Sequence, residues 1–312
     1  MMRYALKRIL TGLITIWFIA SATFLAMHMV PGDPLADEKA VPPEIRTALL
    51  EYYGLDQPLP VQYVRFFNNM LHGDFGLSFT QKNRAVNDII RAHFPVSALL
   101  GCIALLFAAT GAILWGALAA RFHRRWPDYV IMAAVVASIS VPGFVFAALA
   151  QIAVLQFNQQ FGTQFPLAGW GSLQQILLPA LVLGLGTMAY MTRLMRSSML
   201  DVQQAQYIRT ARAKGLSTAR IFWVHTLRNA VLPVLATLGP AIAAITTGGF
   251  VVETVFAIPG LGRYFVQAVQ QLDYTVIMGT TVFYGSFLVL MVLMVDLLVG
   301  VVDPRIRLQD GR

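Results

Sequence analysis

The chain has 312 residues, 57% of them hydrophobic and only 12% charged, with a formal net charge of +8 and a mean hydropathy of +0.64. That balance leaves too little polar surface to coat a water-soluble body of this size, and it excludes a disordered chain. The single cysteine, Cys102, excludes a disulfide scaffold and a cysteine-based zinc site, and the positive charge is not gathered into one basic domain as a nucleic-acid binder requires.

The composition predicts an all-α, polytopic membrane protein. Six stretches reach the length of about 20 mostly apolar residues that a bilayer core demands. They lie near Ile9–Val30, Pro95–Ala120, Tyr129–Phe157, Ile176–Met195, Val231–Phe256 and Met278–Val302. The alternation of a membrane β-barrel is absent from them. The start, MMRYALKR before an apolar run and Ala20-Ser21-Ala22, has the outline of a cleavable signal peptide. The apolar character continues to Pro31, however, which predicts an uncleaved first span.

Pro31-Gly32-Asp33-Pro34 ends that span and opens a long loop, 31–94. EIRTALLEYY reads as a short helix closed by Gly54. PVQYVRFFNNMLH reads as a second, starting with Pro60 in its first turn and ending at Gly73. Two readings stay open for this pair: helices lying on the membrane or capping the bundle, or a docking surface for an extracytoplasmic partner. GDFG at 73–76 carries the letters of a kinase motif without the rest of that set.

Pro142-Gly143 interrupts the third stretch and Pro179 sits early in the fourth. Between the fourth and fifth, MLDVQQAQYIRTARAK predicts a helix with Gly215 as its left-handed cap. Ser217 then N-caps a second helix, TARIFWVHTLRNAV. Arg209, Arg212, Lys214 and Arg220 make this elbow basic. A short turn would suffice to join two spans, so a protruding elbow suits a helix offered to a groove on another protein. The fifth stretch is punctuated by Pro233, Gly239-Pro240 and Gly248-Gly249. Irregular backbone at membrane depth needs protein or a water-filled cavity to cover it. Close packing explains any one of these breaks. The stretch as a whole, with Thr246, Thr247, Gly248, Gly249 and Glu253, predicts a pore-lining helix. In the sixth, Asp296 lies about two turns from the inner end, within reach of a basic side chain or water.

Basic residues set the orientation. The two termini, the 121–125 turn and the 193–228 region hold 16 of the 23 lysines and arginines, which predicts that this side and both termini are cytoplasmic. The organisation that follows is a terminal span over 1–30, an extracytoplasmic loop over 31–94, a five-helix core over 95–302 containing the cytoplasmic loop 197–230, and a tail over 303–312. No phosphate-cradling P-loop, H-E-x-x-H or G-x-S-x-G occurs. His28, His72, His93, His123 and His225 are dispersed and read as structural. Few ionisable groups sit at mid-membrane, unlike an ion-driven transporter. The body is pore-like and carries no engine of its own.

Arg209-Thr210-Ala211-Arg212-Ala213-Lys214-Gly215 occupies the place of the cytoplasmic E-A-A-x-x-x-G loop of ATP-binding-cassette importers. Arg replaces Glu, Thr replaces the first Ala, and Pro233 follows Gly215 by 18 residues instead of 13. The longer string YIRTARAKGLSTARIFWVHTLRNAVLPVL resembles the form taken in the oligopeptide/dipeptide permease family. So do Pro31-Gly32-Asp33-Pro34, His72-Gly73-Asp74-Phe75-Gly76, Pro259-Gly260-Leu261-Gly262-Arg263 and Asp303-Pro304-Arg305-Ile306-Arg307. These blocks span nearly the whole chain. Within the family it looks most like the B-type subunits of oligopeptide permeases, through AVNDIIRAHFPVSA and the short uncharged loop between the third and fourth spans.

The resemblance implies a type I importer permease fold in a bacterial inner membrane. It implies four kinds of partner: a second, non-identical permease, two cytoplasmic ATPases, an extracytoplasmic peptide-binding protein and membrane lipid. ATP and magnesium would bind the ATPases and no cofactor this chain, which would be a non-catalytic half of the pathway. Tyr207, Arg209, Thr210, Ala211, Arg212, Ala213, Lys214, Gly215 and Leu216 would form the coupling loop. Related members carry dipeptides, nickel, glutathione or antimicrobial peptides. A stand-alone channel or membrane enzyme is the reading from another class.

Overall fold

The computed structural model describes residues 2–30, 50–51, 54–81 and 84–302, and within these the side chains of 2–5, 243, 246–248 and 296–302 are left undescribed. The predicted helix over 44–53 thus lies almost wholly outside the described residues, as do the tail 303–312 and the Asp296 side chain. The helices, in chain order, are α1 (Met2–Met29), α2 (Leu59–Leu71), α3 (Val86–Arg121), α4 (Trp126–Ser140), α5 (Gly143–Phe161), α6 (Leu173–Gln204), α7 (Gln206–Ala213) and α8 (Thr218–Arg220). A π-helical turn, Ile221–Leu227, leads into α9 (Arg228–Ala230), α10 (Leu232–Ala236), α11 (Leu238–Gly248), α12 (Phe250–Val255), α13 (Leu261–Gln270) and α14 (Tyr274–Val302). An isolated bridge between Leu77 and Ala85 is the one β interaction among the described residues.

Four of these helices, α1, α3, α6 and α14, are long and apolar enough to cross a membrane. The predicted third span is not straight. α4 and α5 meet at an angle of 110° and count as a fifth crossing only if the bent pair is one span. The break itself is local: Pro142 has no N–H to continue the α4 ladder, and Val141 takes the extended conformation, φ −95°, ψ 127°, that a residue before proline favours. The predicted fifth span is a series of short pieces, α10 to α12. Their joints at Val231, Thr237 and Gly249 keep right-handed helical dihedrals. Pro233 and Pro240 remove donors from the ladder, so the helix is interrupted without being reversed.

The chain divides into two units, 1–96 with 259–293 and 97–258 with 294–312. In the first, α1 shows wide apolar faces, with Leu10, Leu13, Trp17 and Phe18 exposed as lipid-facing residues are. Its Phe24 packs on Tyr63 and Phe66 of α2, and His28 reaches Gln62 of α2 at 3.0 Å. The dominant polar feature is Asp273, 1% exposed at the start of α14. Its carboxylate accepts from the Ser78 hydroxyl, the Phe79 N–H, the Thr80 N–H and hydroxyl, the Thr275 hydroxyl and the Val276 N–H. The anion thus caps a helix N-terminus and clamps the 78–80 loop onto it. His93 stacks on Tyr264 and hydrogen-bonds the Pro259 carbonyl at 2.8 Å, fixing the turn before α13.

The core of the second unit joins Ala112, Ala117 and Ala120 of α3 to Met191, Met195 and Met199 of α6, with Ala230 and Val234 closing it. Small residues allow the approach. A Cβ on Gly184 would stand 2.6 Å from the Ala104 carbonyl, and one on Gly116 would stand 2.8 Å from the Thr192 carbonyl. Without an apolar driving force between lipid-immersed helices, such close van der Waals packing is what binds them.

Candidate coupling elbow and cavity

The predicted single helix over 199–214 is two helices. α6 stops at Gln204, Ala205 turns extended at ψ 146°, and α7 starts afresh at Gln206. α7 is strongly amphipathic. Ile208 and Ala211 point inward and join Ile221 in a buried knot, with Val202, Ala205 and Leu216 packed around it. Gly215, at φ +75°, closes the helix as predicted. The Gly215 N–H donates to the Arg212 carbonyl at 3.0 Å and the Leu216 N–H to the Ala211 carbonyl at 3.3 Å, the two bonds of a Schellman cap. Leu216 accordingly lands on Ala211. The Ser217 hydroxyl accepts from the Arg220 N–H at 3.4 Å and starts the return helix.

Of the residues expected in the loop, Tyr207, Arg209, Thr210, Arg212, Ala213, Lys214 and Gly215 are exposed, Leu216 is half-buried and Ala211 is buried. Arg209, Arg212, Lys214 and Arg220 make no ion pair among the described residues. The elbow is therefore held by its caps and its apolar knot, while its cations face outward. Ile208 and Ile221, which make the knot, are additions to the sequence reading; the three-residue spacing of Ile208 and Ala211 was their signal.

A second arrangement lies at the α4–α5 bend. A cavity of about 540 Å³ is bounded by the bend itself, by one face of α6, and by Val251 and Val252 of α12. Most of its wall is apolar, and Tyr190 and Arg193 of α6 supply polar groups. Of the predicted pore residues, Gly249 is buried and Glu253 is 1% exposed. Neither lines this cavity; their neighbours Val251 and Val252 do. The Thr246, Thr247 and Gly248 side chains fall outside the described set.

One turn beyond Arg193, Arg196 is fully engaged. Its Nε donates to Asp128 Oδ1 at 2.6 Å and its Nη2 to Oδ2 at 2.7 Å. The Arg124 N–H adds a bond to Oδ2 at 3.0 Å, and His123 Nδ1 lies 3.3 Å from the same oxygen. Asp128, 2% exposed in the first turn of α4, thereby ties that turn to α6.

Comparison with known proteins finds matches along nearly the whole chain. Residues 112–308 match the family model of the binding-protein-dependent transport system inner membrane component. Residues 1–101 match that of its N-terminal region. The chain is 42% identical to the dipeptide transport system permease protein of Bacillus subtilis, covering 99% of each chain. It is 39% identical to the oligopeptide transport system permease protein of Haemophilus influenzae and 36% identical to that of Escherichia coli K12, in each case over 98% of this chain and 100% of the relative. A crystal structure of an amino acid ABC transporter with histidines shares the fold, with a TM-score of 0.50 and 16% identity over 70% of this chain and 94% of that one. A helical membrane body with a capped, outward-facing basic elbow and matches of this extent place the chain in the family of binding-protein-dependent transport system inner membrane components, multi-pass proteins of the bacterial inner membrane.

Proposed function

We propose that this chain is one of two non-identical permease subunits of an ATP-driven peptide importer. An extracytoplasmic binding protein delivers the cargo, and two cytoplasmic ATPases bind ATP and magnesium and drive the cycle. The chain itself is non-catalytic. The observation that carries the reading is the elbow over 206–220: an amphipathic helix whose inner face folds on its own knot and whose cationic outer face is left for a partner. Seated in a groove of an ATPase, Tyr207, Arg209, Thr210, Arg212 and Lys214 make the contact. Gly215 and Leu216 hold the shape, so ATPase closure moves the elbow as a rigid body and switches access to the pathway.

Relatives named for dipeptides and for oligopeptides support a peptide cargo. Their similar identities, 42% and 39%, add nothing to the preference for the oligopeptide branch that rests on the sequence motifs. The test is a tagged pull-down from native membranes in mild detergent, followed by reconstitution. Recovery of a second permease and ATPases, with peptide uptake by the reassembled complex, is the expected result. Recovery of this chain alone, under conditions that preserve a known importer, would overturn it.

A further inference from the structure

The cavity at the α4–α5 bend contains a charge that the fold does not use. Arg193 lines it, is exposed, and has neither a hydrogen-bond nor an ion-pair partner among the described residues. The contrast with Arg196, three residues on and locked to Asp128, shows that the neighbourhood does supply a carboxylate to an arginine when the structure needs one. Tyr190 precedes Arg193 by three residues, lies on the same face of α6, is 48% exposed and lines the same cavity. Its hydroxyl likewise makes no bond among the described residues. A guanidinium and a phenol lining one cavity from one helix face offer several donors, chemistry that suits a carboxylate.

Apart from Ser138, whose hydroxyl is already bonded to the Ala134 carbonyl, the rest of the wall is of the opposite character. Ile139, Phe144, Phe146, Val182 and Leu183 offer contact area without hydrogen-bonding groups. Gly143 and Gly186 also line the cavity, and a Cβ on either would meet nothing within 4 Å, so the space beside them is open. At about 540 Å³ the cavity is of the size that holds a small ligand. Smooth apolar walls tolerate different side chains, whereas one cation at one end selects a group common to every linear peptide.

We infer that Arg193, assisted by Tyr190, receives the C-terminal carboxylate of the cargo peptide in this cavity. The inference rests on the peptide-importer reading above. An arginine with no fixed carboxylate among the described residues is free to take a transient one while the cargo passes. The hold stays useful only if it is weak enough to release.

The test uses the complete assembly in proteoliposomes, with the binding protein saturated by either trialanine or trialanine amide, so that delivery is equal for both. Arg193→Gln is expected to slow trialanine uptake about ten-fold, the loss of one charge-assisted contact, and to change amide uptake little. Arg193→Lys restores most of the trialanine rate. Gly186→Val, which fills the cavity without touching the charge, slows both peptides alike. Equal losses of the two peptides in Arg193→Gln, or no loss of either, would overturn the assignment. So would an Arg193→Gln defect that vanishes in vesicles of phosphatidylcholine alone, since an anionic lipid would then be the arginine's ligand. Absence of trialanine uptake by the wild-type assembly would overturn the importer reading as well, which separates the two failures.

Discussion

The clamp around Asp273 and the elbow over 206–220 solve the same local problem, a helix end joined to a loop, by opposite means. At the clamp a buried carboxylate gathers donors from Ser78, Phe79, Thr80, Thr275 and Val276, and nothing is left over for a partner. At the elbow the ends are closed by a glycine and a serine, the interior is three apolar side chains, and the cations make no ion pair among the described residues. A self-satisfied joint fixes geometry within the chain; a joint with unspent charge is built to be completed from outside.

The largest effect should come from breaking the clamp. Asp273→Ala leaves several buried donors without an acceptor and should cost about 3–5 kcal/mol, read as a large fall in melting temperature of the purified assembly and poor accumulation in the membrane. A small shift would mean that water replaces the carboxylate. Next comes Gly215→Val. At φ +75° any side chain is strained by roughly 1–2 kcal/mol, and more for a β-branched one. The chain should still reach the membrane, because nothing crowds that position, yet substrate-stimulated ATP hydrolysis should be lost. Normal stimulation would refute the coupling role. Ser217→Ala removes one cap and should cost about 1 kcal/mol, lowering stimulation only partly. The smallest change in stability is expected from Arg212→Glu with Lys214→Glu, both exposed. The pair should leave the melting temperature almost unchanged while releasing the ATPases during purification and abolishing the salt sensitivity of their binding.

The elbow was legible because its signals are local. A glycine, a serine and an amphipathic period each act within one turn, and the structure places Gly215 and Ser217 as the sequence predicts. Pro60 and Gly73 bracket α2 for the same reason. The Ala205 break was not legible, since neither glycine nor proline marks it. Pro142-Gly143 announced an interruption in the third span but not its 110° turn, which depends on the packing of α5 as well as the missing donor. The Asp273 clamp was invisible because its donors at 78–80 lie 193 to 195 positions away in sequence. Asp128 with Arg196 was hidden the same way: the arginine counted towards the cytoplasmic charge bias and gave no hint of a partner 68 residues earlier.

The π-helical turn over Ile221–Leu227 has a consequence for chain length. Each of its hydrogen-bonded loops encloses one residue more than an α-helical one, and the inward positions follow suit: Ile221 and Thr226 are buried five apart, whereas Thr226 and Ala230 are buried four apart. The turn thus stores one surplus residue. Deleting a single residue between Phe222 and His225 would let the segment relax to an ordinary α-helix while Ile221 still reached the elbow's knot and Ala230 still faced α6. Insertions and deletions are normally forbidden inside a packed helix, because they rotate everything downstream. Here one is already accommodated, so homologues one residue shorter at this point should keep both interfaces in phase.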